Sequence, residues 1–361
     1  MALLHLEGFE WLSSITRDNL TTEMDRWWSW SDTGTGASDA MQTSRTGYVG
    51  LALTAISQDW TFRKHRQPDD ADNTLVIGMF IKTPTVLSSF TEILRAYAGE
   101  SVQFSFQSNS DGTLDFYRGT GSLLGTSTFA FSANTKYYVE FKVVVGDGTN
   151  GSMEMWVADL SSDDDTVTAQ EWTITSVDTR SSTSAYETSW DAVQLFSWGA
   201  TTIYDDIYIC DGTGSTNNDL LGNLYVEAIT PTGAGTTTDF TPSAGSNYQN
   251  VDETGLSDDD TTYNEATANG DIDLYSMSNL PGGGDIFGVQ VQAEVRVTEG
   301  DMRKVKLLAR EGTTTGASGQ FSTLNDTYGG RAYVFETNPD TSLAWTSTEV
   351  DAIECGIEQD A

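Results

Sequence analysis

Basic residues are scarce in this chain: 18 lysines and arginines stand against 53 aspartates and glutamates in 361 residues, a formal net charge of −35. Such a chain repels phosphate backbones and anionic lipid, which excludes nucleic acid and membrane insertion as direct roles. Cysteine is scarcer still. Cys210 and Cys355 stand alone and far apart, forming neither a disulfide framework nor a metal-ligand spacing, and read as small buried residues. The two histidines, His5 and His65, cannot build a His-rich zinc site, and neither lies beside a Ser or Cys nucleophile motif. A G-x-x-x-x-G-K-[ST] loop is absent, so nucleotide binding has no support. No hydrophobic run reaches the length of a membrane span. Residues 1–12 are broken by His5 and Glu7 and are too short for a secretory core. The expectation is a protein made in a cytoplasm, which can still leave a cell within a released particle.

What is present is glycine, serine, threonine and aromatic residues. With 38% hydrophobic and 11% aromatic content and 6 prolines, this is a folded all-β composition, and the length allows two domains. The stretch Thr202 to Gly214 organises the reading. It alternates Ile203, Asp205, Ile207 and Ile209 with Tyr204, Asp206, Tyr208 and Cys210, the pattern of a strand. Gly212 to Asn218 supplies a turn cluster after it, which places a domain boundary there: residues 1–215, then 216–361. Upstream, HLEGFEWL, TLVIGMFIKT, FTEILRAYAG and YYVEFKVVV read as strands, with tight turns at Asn109–Gly112 and Gly146–Gly151. Downstream, Asn223–Ile229, Asp271–Met277, Ile286–Val297, Arg303–Arg310 and Ala332–Glu336 read as strands. A short C-terminal helix is signalled by the capping box Thr346 to Glu349, with Val350 and Ile353 on one face and Gly356 as its stop.

Candidate sites are few. Trp27, Trp28 and Trp30 form a sugar-stacking platform or, equally in keeping with their chemistry, a core or interface anchor. Arg63, Lys64 and Arg66, with His65 between them, make the densest basic cluster, either a solvated loop or a contact for an acidic neighbouring subunit. Between Arg180 and Arg296 there are eighteen acidic residues and no Lys or Arg. That interval is a solubility surface, or a face for a basic partner or divalent cations. Its clusters Asp205 with Asp206, Asp258 to Asp260, and Asp271 with Asp273, and Asp163 to Asp165 before it, offer oxygen ligands to calcium. Asp205 and Asp206 are the leading pair, because an unpaired carboxylate among apolar strand neighbours is costly. A glycan hydrolase of sandwich type needs an E-x-D-x-x-E set. Glu154 and Asp159, five apart, instead fall on opposite strand faces, so no enzyme activity is expected.

The early EGFE-containing strand, YYVEFKVVV, the Gly-rich turn into MEMWVAD and the final YDDIYICD together resemble the concanavalin A-like lectin and laminin G-like jelly roll over roughly residues 1 to 220. The second half resembles the region that follows such domains in structural proteins of tailed bacteriophages. These resemblances imply an all-β jelly-roll sandwich followed by a smaller β-rich domain with one short C-terminal helix. They also imply that the first and last strands pair, Leu6–Trp11 with Ile203–Ile209. The implied function is a non-enzymatic virion structural protein, on the capsid as decoration or in the tail fibre, assembled in the host cytoplasm beside other virion proteins. Homo-oligomers, commonly trimers, are the implied assembly. The alternative is a host-surface glycan-binding adhesin; a polysaccharide depolymerase conflicts with the missing carboxylate set. No cofactor is implied beyond possible calcium.

Overall fold

Period-two patterning joined by Gly, Asn and Asp turns produces antiparallel sheets throughout. The computed structural model describes residues 2–9, 26–27, 29–32, 41–43, 49–53, 60–65, 72–160, 170–181, 188–199, 201–253, 257–298, 303–323 and 326–360. The chain divides into two units, Met1–Glu10 with Ile15–Val226 and Trp11–Ser14 with Glu227–Ala361. Residues 216–226 thus belong with the first unit rather than opening the second. Their backbone amides are held by side chains of the first sheet, as set out below.

In chain order the first unit contains β1 (Leu3–Glu7), β2 (Ser29–Asp32), β3 (Met41–Thr43), β4 (Val49–Leu53), β5 (Trp60–His65), β6 (Thr74–Lys82), β7 (Thr91–Ala98), β8 (Ser101–Ser108), β9 (Leu114–Arg118), β10 (Ser122–Thr126), β11 (Lys136–Val144), β12 (Gly151–Asp159), β13 (Gln170–Val177), β14 (Ala192–Phe196) and β15 (Thr202–Asp211). An eight-stranded sheet runs β13-β12-β11-β6-β15-β4-β3, with β1 also on β15, and a seven-stranded sheet runs β10-β9-β8-β7-β14-β5-β2. This is the jelly-roll sandwich that the pattern implies. Aromatic side chains join the inner faces: Phe106 stacks on Phe116 at 4.8 Å and meets Phe141 of the opposite sheet at 4.3 Å. Each such buried ring contributes about 1.5–3 kcal/mol. Trp190, 2% exposed, closes one edge by donating its Nε1 to the Thr74 carbonyl at 2.8 Å.

β1 pairs with β15 from Leu3↔Cys210 to Glu7↔Ile207. First and last strands do meet, through Leu3–Glu7 rather than Leu6–Trp11. All ten residues of β15 are buried, so both its faces are covered. Its alternation also breaks once. Asp205 pairs with Phe80 and Tyr208 with Gly78, so β15 advances three residues while β6 advances two. Asp206 takes φ +48° at this bulge, a left-handed conformation that Asp tolerates better than a branched or bulky residue. The extra residue reverses the parity. Tyr204 lines the apolar interior with Met79, Ile81, Phe141 and Trp198, whereas Tyr208 lies on the outer face against Glu140. The single unbroken alternation expected for this strand is therefore replaced by two half-strands of opposite phase.

The second unit contains β16 (Pro231–Thr238), β17 (Thr241–Pro242), β18 (Asn264–Glu265), β19 (Ile272–Met277), β20 (Val289–Val295), β21 (Arg303–Glu311), β22 (Thr314–Ala317), β23 (Phe321–Thr323), β24 (Gly329–Phe335) and β25 (Glu354–Asp360). Its main sheet runs β16-β19-β25-β21-β22, with β23 on β21. Helix α1 (Ser347–Val350) begins as its sequence dictates: the Thr346 side chain accepts from Glu349 N at 3.3 Å, and Glu349 Oε2 accepts from Thr346 N at 2.7 Å. Val350 and Ile353 enter a core with Leu307, Phe335 and Trp345. Two readings change. Asn223–Ile229 forms no strand, and the ladder starts at Pro231. Gly356 is not the helix stop; it lies inside β25, where a Cβ would sit 1.9 Å from the Asp273 carbonyl oxygen. Close strand approach, not a C-cap, requires glycine there.

Candidate functional site

The outer faces of the two sheets of the first unit concentrate the polar chemistry. On the first sheet, Tyr138, Glu140 and Lys142 alternate along β11 with the inward Val139 and Phe141, and Tyr208 lies over Gly78, whose missing Cβ would stand 2.1 Å from the ring. The segment after β15 crosses this face as a strap. Tyr208 Oη donates to Glu140 and accepts from Leu221 N at 3.0 Å, while Glu140 Oε1 also accepts from Gly222 N at 2.8 Å. Asp206 Oδ1 accepts from Val226 N at 2.8 Å, Tyr138 Oη donates to the Asp206 carbonyl at 3.2 Å, and Lys142 meets Asp219 at 2.8 Å. Glu140 is 1% exposed. Burial raises its carboxyl pKa above the ordinary range, against the opposing hydrogen bonds from Tyr208, Gly222 and Leu221. Burial and the Glu140 charge push the Tyr208 phenol well up, which keeps it a donor at any ordinary pH. Every group named here is engaged by the chain itself.

The second sheet's outer face is different. Its inner side takes Phe104, Phe106 and Phe116, so the alternate residues look outward. Cα register aligns one transverse row: Ser29, Arg63, Gln194, Arg95, Ser105 and Tyr117 on β2, β5, β14, β7, β8 and β9. From Gln194 to Tyr117 this row spans three strand spacings, about 14 Å. Arg95 donates its Nε to Glu92 at 2.9 Å and its Nη2 to the same carboxylate, and its Nη1 reaches Tyr97 Oη at 3.3 Å. Tyr97 Oη in turn donates to Gln194 Oε1 at 2.5 Å. Burial opposes the charge on Arg95, and the bonds to Tyr97 and Glu92 outweigh it, raising the guanidinium pKa. Farther along, Asp115 accepts from Thr126 Oγ1 at 2.5 Å and Tyr117 Oη at 3.2 Å. Gln194, Gln107 and Tyr117 are half-buried, and the side-chain amide nitrogens of Gln194 and Gln107 find no acceptor among the described residues. Among the described residues, the two glutamine amides thus keep hydrogen-bonding capacity that no described side chain or backbone group takes up. None of them was picked out from sequence. The signal was present only as polar residues at alternate positions of FTEILRAY, SVQFSFQS, LDFYR and AVQLF.

The residues singled out from sequence scatter. Trp27 is half-buried, Trp30 lies in β2, and Trp28 falls outside the described residues. Arg63 and Lys64 lie in β5, a strand rather than a loop, and Arg66 falls outside the described residues. Arg63 thereby enters the row just described. Asp205 and Asp206 sit at the bulge in mid-strand, not at a strand end, and are fully buried; Asp205 Oδ1 accepts from Asp206 N at 2.9 Å. Asp273 is buried and accepts from Asn247 Nδ2 at 2.8 and 3.0 Å and from Tyr275 Oη at 2.7 Å. Asp258 accepts from Thr262, and Asp260 pairs with Arg296 at 2.5 Å; Asp163 to Asp165 lie outside the described residues. Among the described residues no three His, Cys, Asp or Glu side chains converge as a metal set. The two cysteines are buried and unpaired with each other, and burial raises the Cys355 thiol to about 12.

No family model matches the chain, and no curated protein does. Among solved structures it is similar to a marine PL-14 alginate lyase from Aplysia kurodai, at 11% identity over 47% of this chain and 86% of that one, TM-score 0.37. It is also similar to lectin II from Ulex europaeus, at 12% identity over 47% and 89%, TM-score 0.31. A third is the CBM2 module of the evolved Dit of Lactobacillus casei BL23 phage J-1, at 10% identity over 58% and 96%, TM-score 0.35. Likenesses of this size carry no argument about activity or ligand. The class is defined by the chain's own topology: a lectin-like jelly-roll β-sandwich followed by a smaller β-rich unit.

Proposed function

We propose that the chain is a non-enzymatic glycan-contacting protein whose binding face is the outer side of the seven-stranded sheet. The observation that carries this reading is the aligned row Gln194, Arg95 and Tyr117, the first two ordered by Tyr97 and Glu92 and the third by Asp115, all half-buried. Sugars are recognised by hydrogen bonds to oriented amides and carboxylates with aromatic rings beside them. The carboxylates on this face support a binding rather than a catalytic role. Glu92 is spent on Arg95, and Asp115 on Thr126 and Tyr117, so neither is held as a free acid or base. The setting of the proposal is the virion of a tailed phage, as capsid decoration or tail-fibre component, and it rests on the sequence resemblance. In that setting glycan contact is contact with the host surface. Calcium has no part in it.

A glycan array on the intact protein tests the binding, with Gln194→Ala as the informative variant. Binding that survives this substitution unchanged, or binding to no glycan, overturns the assigned face. Release of reducing or unsaturated ends from any bound polysaccharide overturns the non-enzymatic reading. Imaging of particles that carry the protein decides the virion setting, and solution mass fixes the number of copies.

A further inference from the structure

We infer that the outer face of the seven-stranded sheet selects neutral glycans and rejects uronate-bearing, sialylated and sulfated ones; this rests on reading that face as the glycan contact. Three observations carry it. First, the guanidinium of Arg95 is committed. Its Nε and Nη2 form a two-pronged pair with Glu92, its Nη1 is directed at Tyr97 Oη, and its Cζ lies 4.9 Å from the Phe196 ring centre. A sugar carboxylate needs such a fork for itself, and Glu92 already fills it.

Second, the groups left over match hydroxyls. Tyr97 Oη occupies Gln194 Oε1 and leaves the amide nitrogen a donor with no acceptor among the described residues. Gln107 stands opposite Asp115 across the β8 and β9 pair, bringing an amide and a carboxylate side by side. Amide nitrogens of Gln194 and Gln107 can donate to sugar hydroxyls, which fits a neutral pyranose, while Asp115, buried and engaged by Thr126 and Tyr117, adds negative charge beside them. An anionic sugar placed there would oppose Asp115, and Arg95, the cation of the row whose side chain is described, is already paired with Glu92. Third, the whole-chain charge of −35 adds a repulsive field toward any polyanion, reduced but not abolished at physiological salt.

The test compares neutral β-glucan and mannan oligosaccharides with oligoglucuronates, sialylated oligosaccharides and sulfated oligosaccharides of the same length, titrated into the full chain at low and physiological salt. The expected result is measurable affinity for a neutral series that changes little with salt, and at least ~10-fold weaker binding of its anionic counterparts, the weight of one charge-assisted contact. Glu92→Gln unlocks Arg95 and is expected to narrow or reverse this preference, while thermal melting monitors its fold. Tighter binding of uronates by the native protein, weakening as salt rises, overturns the inference and leaves the glycan-contact reading standing. Loss of that uronate binding in Arg63→Ala would show that the other arginine of the row supplies the fork. Binding of neither series overturns the function itself.

Discussion

Two patches on the outer faces of the sandwich, one around Glu140 and one around Gln194, are made from the same kinds of side chain and end in opposite states, although on the second face Gln103 is itself buried and completed by Ser181 N and the Ser189 carbonyl. On the eight-stranded sheet, Glu140, Tyr208 and Asp206 spend their hydrogen bonds on amides of residues 221, 222 and 226. On the seven-stranded sheet, Gln194, Gln107 and Tyr117 remain half-open, and the amide nitrogens of the two glutamines have no acceptor among the described residues. The difference does not lie in residue type. It lies in where the chain goes next: the segment after β15 doubles back over one face. A polar group on a sheet is structural where the protein's own backbone completes it, and available to a ligand where nothing does.

That contrast can be broken most severely at Gly78. Gly78→Ala drives a Cβ to 2.1 Å from Tyr208 Cε1 and is expected to cost about 3 kcal/mol in denaturant unfolding; an unperturbed midpoint would mean that the ring does not lie against β6. Next comes Glu140→Ala, which strands Tyr208 Oη and the Gly222 amide in a buried site and should cost about 2–3 kcal/mol. Hydrogen exchange at Leu221 and Gly222 should accelerate in the same variant. Slow exchange persisting there would show the strap to be held by something else.

A smaller effect is the dependence on pH. Glu140 has its pKa raised above 4.5 mainly by burial, so the folded chain holds this proton to a higher pH than the unfolded chain does. Its contribution to stability is therefore fullest below the unfolded value and is lost as pH rises through the raised folded one. Asp273 in the second unit is shifted the same way, also mainly by burial, so the informative quantity is the difference between the native protein and Glu140→Gln. That variant should flatten part of the decline, and identical slopes would refute the assignment. The smallest stability change is expected on the open face. Gln194→Ala should move unfolding by less than about 0.5 kcal/mol while weakening glycan binding roughly tenfold. If it destabilised the protein as Glu140→Ala does, the two faces would not differ in the way described.

How much of this was legible in sequence varies by element. Strands such as β12 announce themselves because they bury one face and write that fact as alternation, whereas β6 and β15, covered on both faces, show as largely apolar runs between turn signals. The helix at Ser347 was legible because a capping box is local chemistry between Thr346 and Glu349. Asn223–Ile229 misled because its alternation is real, yet it joins no ladder, and its Val226 amide bonds the Asp206 carboxylate instead of a neighbouring strand. Gly356 misled because glycine after a helix and glycine at a crowded strand crossing look alike in one dimension. The candidate face was the least legible part. Its members lie on separate strands, and the register that aligns them is a property of the sheet.

The sequence by itself determined the all-β class, the turns and the capped helix, since each follows from interactions within a few residues. It also determined the acidity, which governs what the surface can meet. Only the tertiary structure decided the bulge at Asp206 that reverses the faces of β15, the strap that crosses one face and the row of half-buried side chains on the other. The physical reason is that a period of two shows that a strand has two sides, but not which side the protein will cover.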